Sequence, residues 1–150
     1  MMSIEEYHRL LAKKKEPKKA RMPKPVDITA EQTDTVTTIT VMGVMPCLPN
    51  RQFHYSVKTK LRTQYEWMLR ACKLTPIKQK VRLCIIGYYA SKPKDDDGFT
   101  ASYKHLRDAM VNTGLLIDDS PTYIEQPPHY EQIKCKHRSE VRTIITITII

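Results

Sequence analysis

The chain has 150 residues, 41% of them hydrophobic, with 25 Lys or Arg against 16 Asp or Glu and a formal charge of +9. That length bounds one ordinary domain able to bury its own core, and the composition excludes wholesale disorder. No apolar run approaches the ~20 residues of a membrane span and the N-terminus lacks a signal-peptide core, so a soluble cytoplasmic protein with no membrane partner is expected.

The excess charge points to a polyanionic partner, for which nucleic acid is the default. It is concentrated at the start, where residues 1–26 hold eight Lys or Arg and three Glu. Residues 3–15 suit a short helix capped by Ser3, and 16-EPKKARMPKPV-26 reads as an extended linker. A flexible basic arm over 1–30 and one folded domain over 31–150 are therefore expected.

Residues 35-TVTTITVMGVM-45 are rich in Thr and Val and predict a strand. The loop 46-PCLPNRQFHYSVK-58 is basic and aromatic, which suits contact with nucleic acid or the capping of a core edge. A helix is predicted over 56–74, with Leu61, Tyr65, Met68 and Cys72 as its apolar stripe. Residues 80-KVRLCIIGYY-89 are apolar on both faces, which predicts a central strand covered on two sides. A helix over 99–112 follows, buried through Phe99, Tyr103, Leu106 and Met110 and stopped by Gly114. Residues 122–126 suit a short strand, and 130–137 is expected to pair with 141–150 as a final hairpin. The order predicts an α+β fold, a mixed β-sheet packed with two main helices. Four cysteines, at 47, 72, 84 and 135, form no C-x-x-C pair and read as free thiols in a reducing compartment.

Two tight acidic clusters interrupt this basic chain, Asp95–Asp97 and Asp118–Asp119. One reading is structural: an Asp caps the helix that follows, and Asp118 starts a turn before Ser-Pro. Lys104 and Asp108 then form only an i, i+4 pair. The other reading is a metal site. Two unit charges 4 Å apart repel by ~4 kcal/mol at an effective dielectric of 20, and a hard divalent cation removes that repulsion. Such an ion would activate a water for phosphodiester cleavage, with Lys104 offsetting charge and the surrounding bases Arg51, His54, Lys58, Lys60, Lys92 and Lys94 holding DNA phosphates.

The pieces 95-DDDG-98, 104-KHLRD-108, Gly114 and 118-DDSP-121 resemble those of the RusA-type Holliday-junction resolvases, over about residues 80–121. The resemblance implies a RusA-like domain and a metal-dependent endodeoxyribonuclease that nicks four-way and branched DNA in recombination and repair. It implies catalytic Asp95, Asp97, Lys104 and Asp119, with Mg²⁺ or Mn²⁺ held by Asp95, Asp97 and Asp119 and secondarily by Asp118. It also implies a homodimer encoded by a phage or prophage, with no organic cofactor. Gly98 stands where the family carries Asn, which supports the alternative of a catalytically inactive branched-DNA-binding protein of the same fold. A regulatory or structural protein whose acids do no chemistry is the third reading.

Overall fold

The computed structural model describes residues 27–46 and 55–150; the expected N-terminal helix and linker, and most of the basic loop, lie outside them. The chain runs β1 (Ile28–Gln32), β2 (Val36–Met42), α1 (Tyr55–Ala71), β3 (Val81–Tyr89), α2 (Asp96–Asn112), β4 (His129–Lys134), a 3₁₀ turn (Arg138–Glu140) and β5 (Arg142–Ile149). The strands form one mixed sheet in the order β1-β2-β5-β3-β4. All neighbours are antiparallel except β3 and β4, which are parallel and joined across α2. The α+β expectation holds at this level, with five strands and two helices.

Strand alternation decides which residues enter the core. Ile39 and Val41 of β2, Val81, Leu83 and Ile85 of β3, and Ile145 and Ile147 of β5 are all buried. The register aligns Ile39, Ile145 and Ile85 across three adjacent strands. Each such side chain contributes ~1.5–3 kcal/mol when taken out of water. Both helices pack on this face, α1 through Leu61, Tyr65 and Leu69 and α2 through Phe99, Tyr103, Leu106 and Met110. The α1 stripe thus ends on Leu69, while Met68 and Cys72 are only half-buried.

Several expectations need correction. No hairpin joins 130–137 to 141–150: β5 inserts between β2 and β3, and β4 lies outside β3. The reason is apolar content. β5 buries Ile145 and Ile147 and takes the sheet's centre, whereas the polar HYEQIK of β4 suits an edge. The chain turns between them because Glu140 accepts the N–H groups of Lys136 and His137, each at 3.0 Å. Nor do the described residues cover β3 on two sides. Cys84, Ile86 and Tyr88, on its second face, stay half-buried beside Ile144 of β5. Residues 122–126 make only an isolated bridge, Ile124 to Val81. β1 starts at Ile28, inside the stretch read as arm, and its pairing with β2 is what makes it a strand.

Candidate functional site

The acidic clusters meet local needs. Asp95 is the N-cap of α2, and its Oδ1 accepts the Gly98 N–H at 2.9 Å. Asp96 and Asp97 fall in the first turn, where the helix dipole favours negative charge. Hydrogen bonds from the Ser120 side chain and the backbone of Asp119 and Ser120 hold the Asp118 carboxyl below the usual carboxylate range. Asp119 forms an ion pair with Arg107, Nε to Oδ2 at 3.4 Å. Among the described residues, no group of three or more His, Cys, Asp or Glu is placed to hold a metal ion. The expected ligand set Asp95, Asp97 and Asp119, with Asp118 beside it, is therefore not gathered around one point.

The other expected residues scatter. Arg51 and His54 lie outside the described residues. Lys58 and Lys60 sit on α1, and Lys104 is exposed on α2. Next to Lys104, His105 is buried and its Nε2 has no hydrogen-bond partner. Burial lowers its pKa; Asp108 opposes that shift, while Lys58, Lys104 and Arg62 add to it.

Lys92 and Lys94, in contrast, line a cleft of about 420 Å³. It opens where β2 and β3 end, beside the first turn of α2 and the start of β5. Its walls are mostly apolar, from Val44, Met45, Tyr89, Phe99 and Val141, and Lys92, Lys94 and Arg138 supply the charge. The described lining contains no carboxylate.

The cleft's shape rests on two arrangements. Gln132 grips the backbone of Lys94, accepting its N–H at 3.0 Å and donating to its carbonyl at 2.7 Å. The Lys94 ammonium in turn donates to the Met45 carbonyl, tying the exit of β2 to the exit of β3. The Phe99 ring packs against Gly87, so close that a side chain on Gly87 would strike it. It also meets Tyr130 in an edge contact, ring centres 6.2 Å apart. Arg138 and Gln132 carried no expectation from the sequence. Gln132 had a signal: it sits two residues after the core-packed Tyr130 on one strand, so a polar side chain points inward.

No family model matches the chain, and no curated protein matches it. Among solved structures it is similar to the periplasmic domain of Helicobacter pylori MotB, at 11% identity and TM-score 0.40 over 89% of this chain and 85% of that one. A second MotB periplasmic domain gives 10% identity and TM-score 0.42 over 100% and 86%. The cell wall anchor of the T6SS from Pseudomonas aeruginosa gives 12% identity and TM-score 0.40 over 82% and 88%. At about one-tenth identity and TM-scores near 0.4, such likeness transfers neither a fold family nor a role.

The comparisons nevertheless go against the resolvase resemblance. No family model of any kind matches the chain, and none of the structures named above is a resolvase. Family membership, the junction-cutting activity and its inactive DNA-binding alternative are corrected accordingly. So are branched DNA as partner and the cytoplasmic location. The motif match has a physical explanation, because acids before a helix and acids before Ser-Pro recur wherever caps and turns are needed.

Proposed function

We propose that the chain is a binding domain whose ligand is an amphipathic anion, held in the cleft between the ends of β2 and β3. One observation carries this: a concave, mostly apolar hollow of about 420 Å³ has three cations and no carboxylate among its described lining. Ligand sites combine apolar walls with a few convergent polar groups in this way. Lys92 and Lys94, which the sequence singled out for contact with an anion, keep that role here, joined by Arg138. Lys94 is already committed to the Met45 carbonyl. Lys92 and Arg138, exposed at the rim, therefore meet the ligand's carboxylate or phosphate first. Phe99, Tyr89 and Met45 cover its apolar body. No chemical step is assigned to Asp95, Asp97, Lys104 or Asp119, and none is routed through Mg²⁺.

Amide chemical-shift mapping tests the proposal, with octanoate and phenyl phosphate as probes and octylamine as the cationic control. Both anions should shift the amides of residues 43–45, 90–94 and 141–143. Reversing charge at Lys92→Glu with Arg138→Glu should weaken the anions at least tenfold, which corresponds to about 1.4 kcal/mol. Shifts spread over the whole surface, or equal binding of octylamine, would refute it.

A further inference from the structure

Helix α1 carries a second feature, independent of the cleft. It turns Leu61, Tyr65 and Leu69 into the core, so its outer side has nothing to bury. Trp67 nevertheless stands there 71% exposed, and it is the only tryptophan in the chain. Tryptophan carries a large apolar surface, and leaving it in water forfeits the gain from burying it. Exposed Arg70 follows within one turn. Lys73 comes just past the helix end with φ 51, a left-handed conformation that a lysine adopts only when its surroundings hold it there.

Arg70 and Lys73 border a smaller hollow of about 190 Å³. Leu69, Leu74 and Leu115 line it, Arg70 and Lys73 bring its charge, and no carboxylate is among its described lining. At ~30 Å³ per water, it has room for about one bulky side chain. The one acid of α1, Glu66, is engaged elsewhere, with Arg62 at 3.8 Å and the Asn112 amide at 2.9 Å. Cations near the carbonyl end of a helix are ordinary partners of its dipole. That accounts for Arg70 and Lys73, but neither for the exposed Trp67 nor for the largely apolar hollow they border.

We propose that the C-terminal end of α1 is a docking surface for an acidic peptide segment of a partner protein. The segment places one apolar side chain in the hollow, lays carboxylates on Arg70 and Lys73, and covers Trp67. Charge complementarity selects the partner, and the aromatic anchor supplies contact area. An anionic membrane fits less well, since a helix lying on lipid needs a broad apolar face. Of the other exposed residues of α1, Ser56, Lys60, Thr63 and Arg70 are polar, and Ala71 adds only a methyl group. A nucleic-acid backbone would use the cations but leave the apolar hollow empty.

Trp67 is its own reporter. Its emission is followed while a synthetic peptide of glutamates around one central leucine is added to the full chain. A glutamine version of the peptide, phosphatidylglycerol vesicles and duplex DNA form the other arms. The glutamate peptide should shift the emission to the blue and shield Trp67 from iodide, and added salt should reverse both effects. Arg70→Glu with Lys73→Glu should weaken the peptide at least tenfold, and Arg70→Gln less so, with helix content by circular dichroism confirming that each variant folds. No change in Trp67 at saturating peptide, an equal response to the glutamine version, or a stronger response to vesicles or DNA would overturn the proposal.

Discussion

Replacing Gly87 with alanine puts a methyl group where the Phe99 ring already sits. An ideal Cβ there would lie 2.5 Å from Phe99 Cε2 and 2.8 Å from Cζ. Gly87 does not need a glycine's backbone, since the positive-φ glycines are Gly43 and Gly114. The change therefore acts through packing. Overfilling a core costs ~1–3 kcal/mol. Displacing the ring also disturbs its edge contact with Tyr130, a type of pair worth ~0.5–1.5 kcal/mol. Removing a glycine from the unfolded chain returns ~0.4–1 kcal/mol. The net loss should be about 2 kcal/mol, or a fall in Tm of roughly 4–8 °C at this chain length. Urea denaturation followed by circular dichroism measures it, with Phe99→Leu completing a double-mutant cycle. Shortening the ring should recover at least ~1 kcal/mol of the loss as a coupling term. A Gly87→Ala variant as stable as the parent, or a strictly additive cycle, would refute the assignment of Gly87 as the space Phe99 needs.

The remaining predictions concern caps, a turn and a buried histidine. Asp95→Ala should cost about 1 kcal/mol by removing the cap on α2, and Asp97→Asn much less, both read from thermal unfolding. In the same measurement millimolar Mg²⁺ should leave Tm unchanged, and a rise of several degrees would show that the aspartates gather around an ion after all. Gly114→Ala has open space around the new methyl group but keeps φ at 77, so it should lose ~1–2 kcal/mol through backbone strain alone. His105 is more readily protonated in the unfolded chain than in the fold, because burial lowers its folded pKa. Its contribution is thus fully present above its unfolded value of about 6.5 and is lost as pH falls through the lowered folded pKa. His105→Gln should flatten that acid limb in denaturation curves collected across pH, and an unchanged limb would assign it to other groups.

Much of the fold is legible in the sequence because local periodicity reports burial. The Thr and Val alternation of β2, the apolar run of β3 and the Phe99, Tyr103, Leu106, Met110 stripe of α2 all form as expected. Gly114 stops α2 as expected, with φ 77. The dependable signals were those in which a residue's own neighbours determine its environment. The aspartates show the limit of such signals: a cap, a turn and a metal ligand all ask for the same residue type.

Three things only the tertiary structure decided. One is strand order: β5 and β4 are adjacent in sequence, but burial sends the isoleucine-rich strand to the centre and the polar one to the edge. Another is the fate of the acids, since nothing local says whether Asp95 and Asp119 meet. Here Asp95 caps its own helix and Asp119 pairs with Arg107. The last is the cleft, where Met45, Lys94, Phe99 and Gln132 converge from distant stretches of chain. Periodicity along the chain determines which face of an element is buried. Which elements then become neighbours depends on contacts across long sequence separations, and these are what build the cleft.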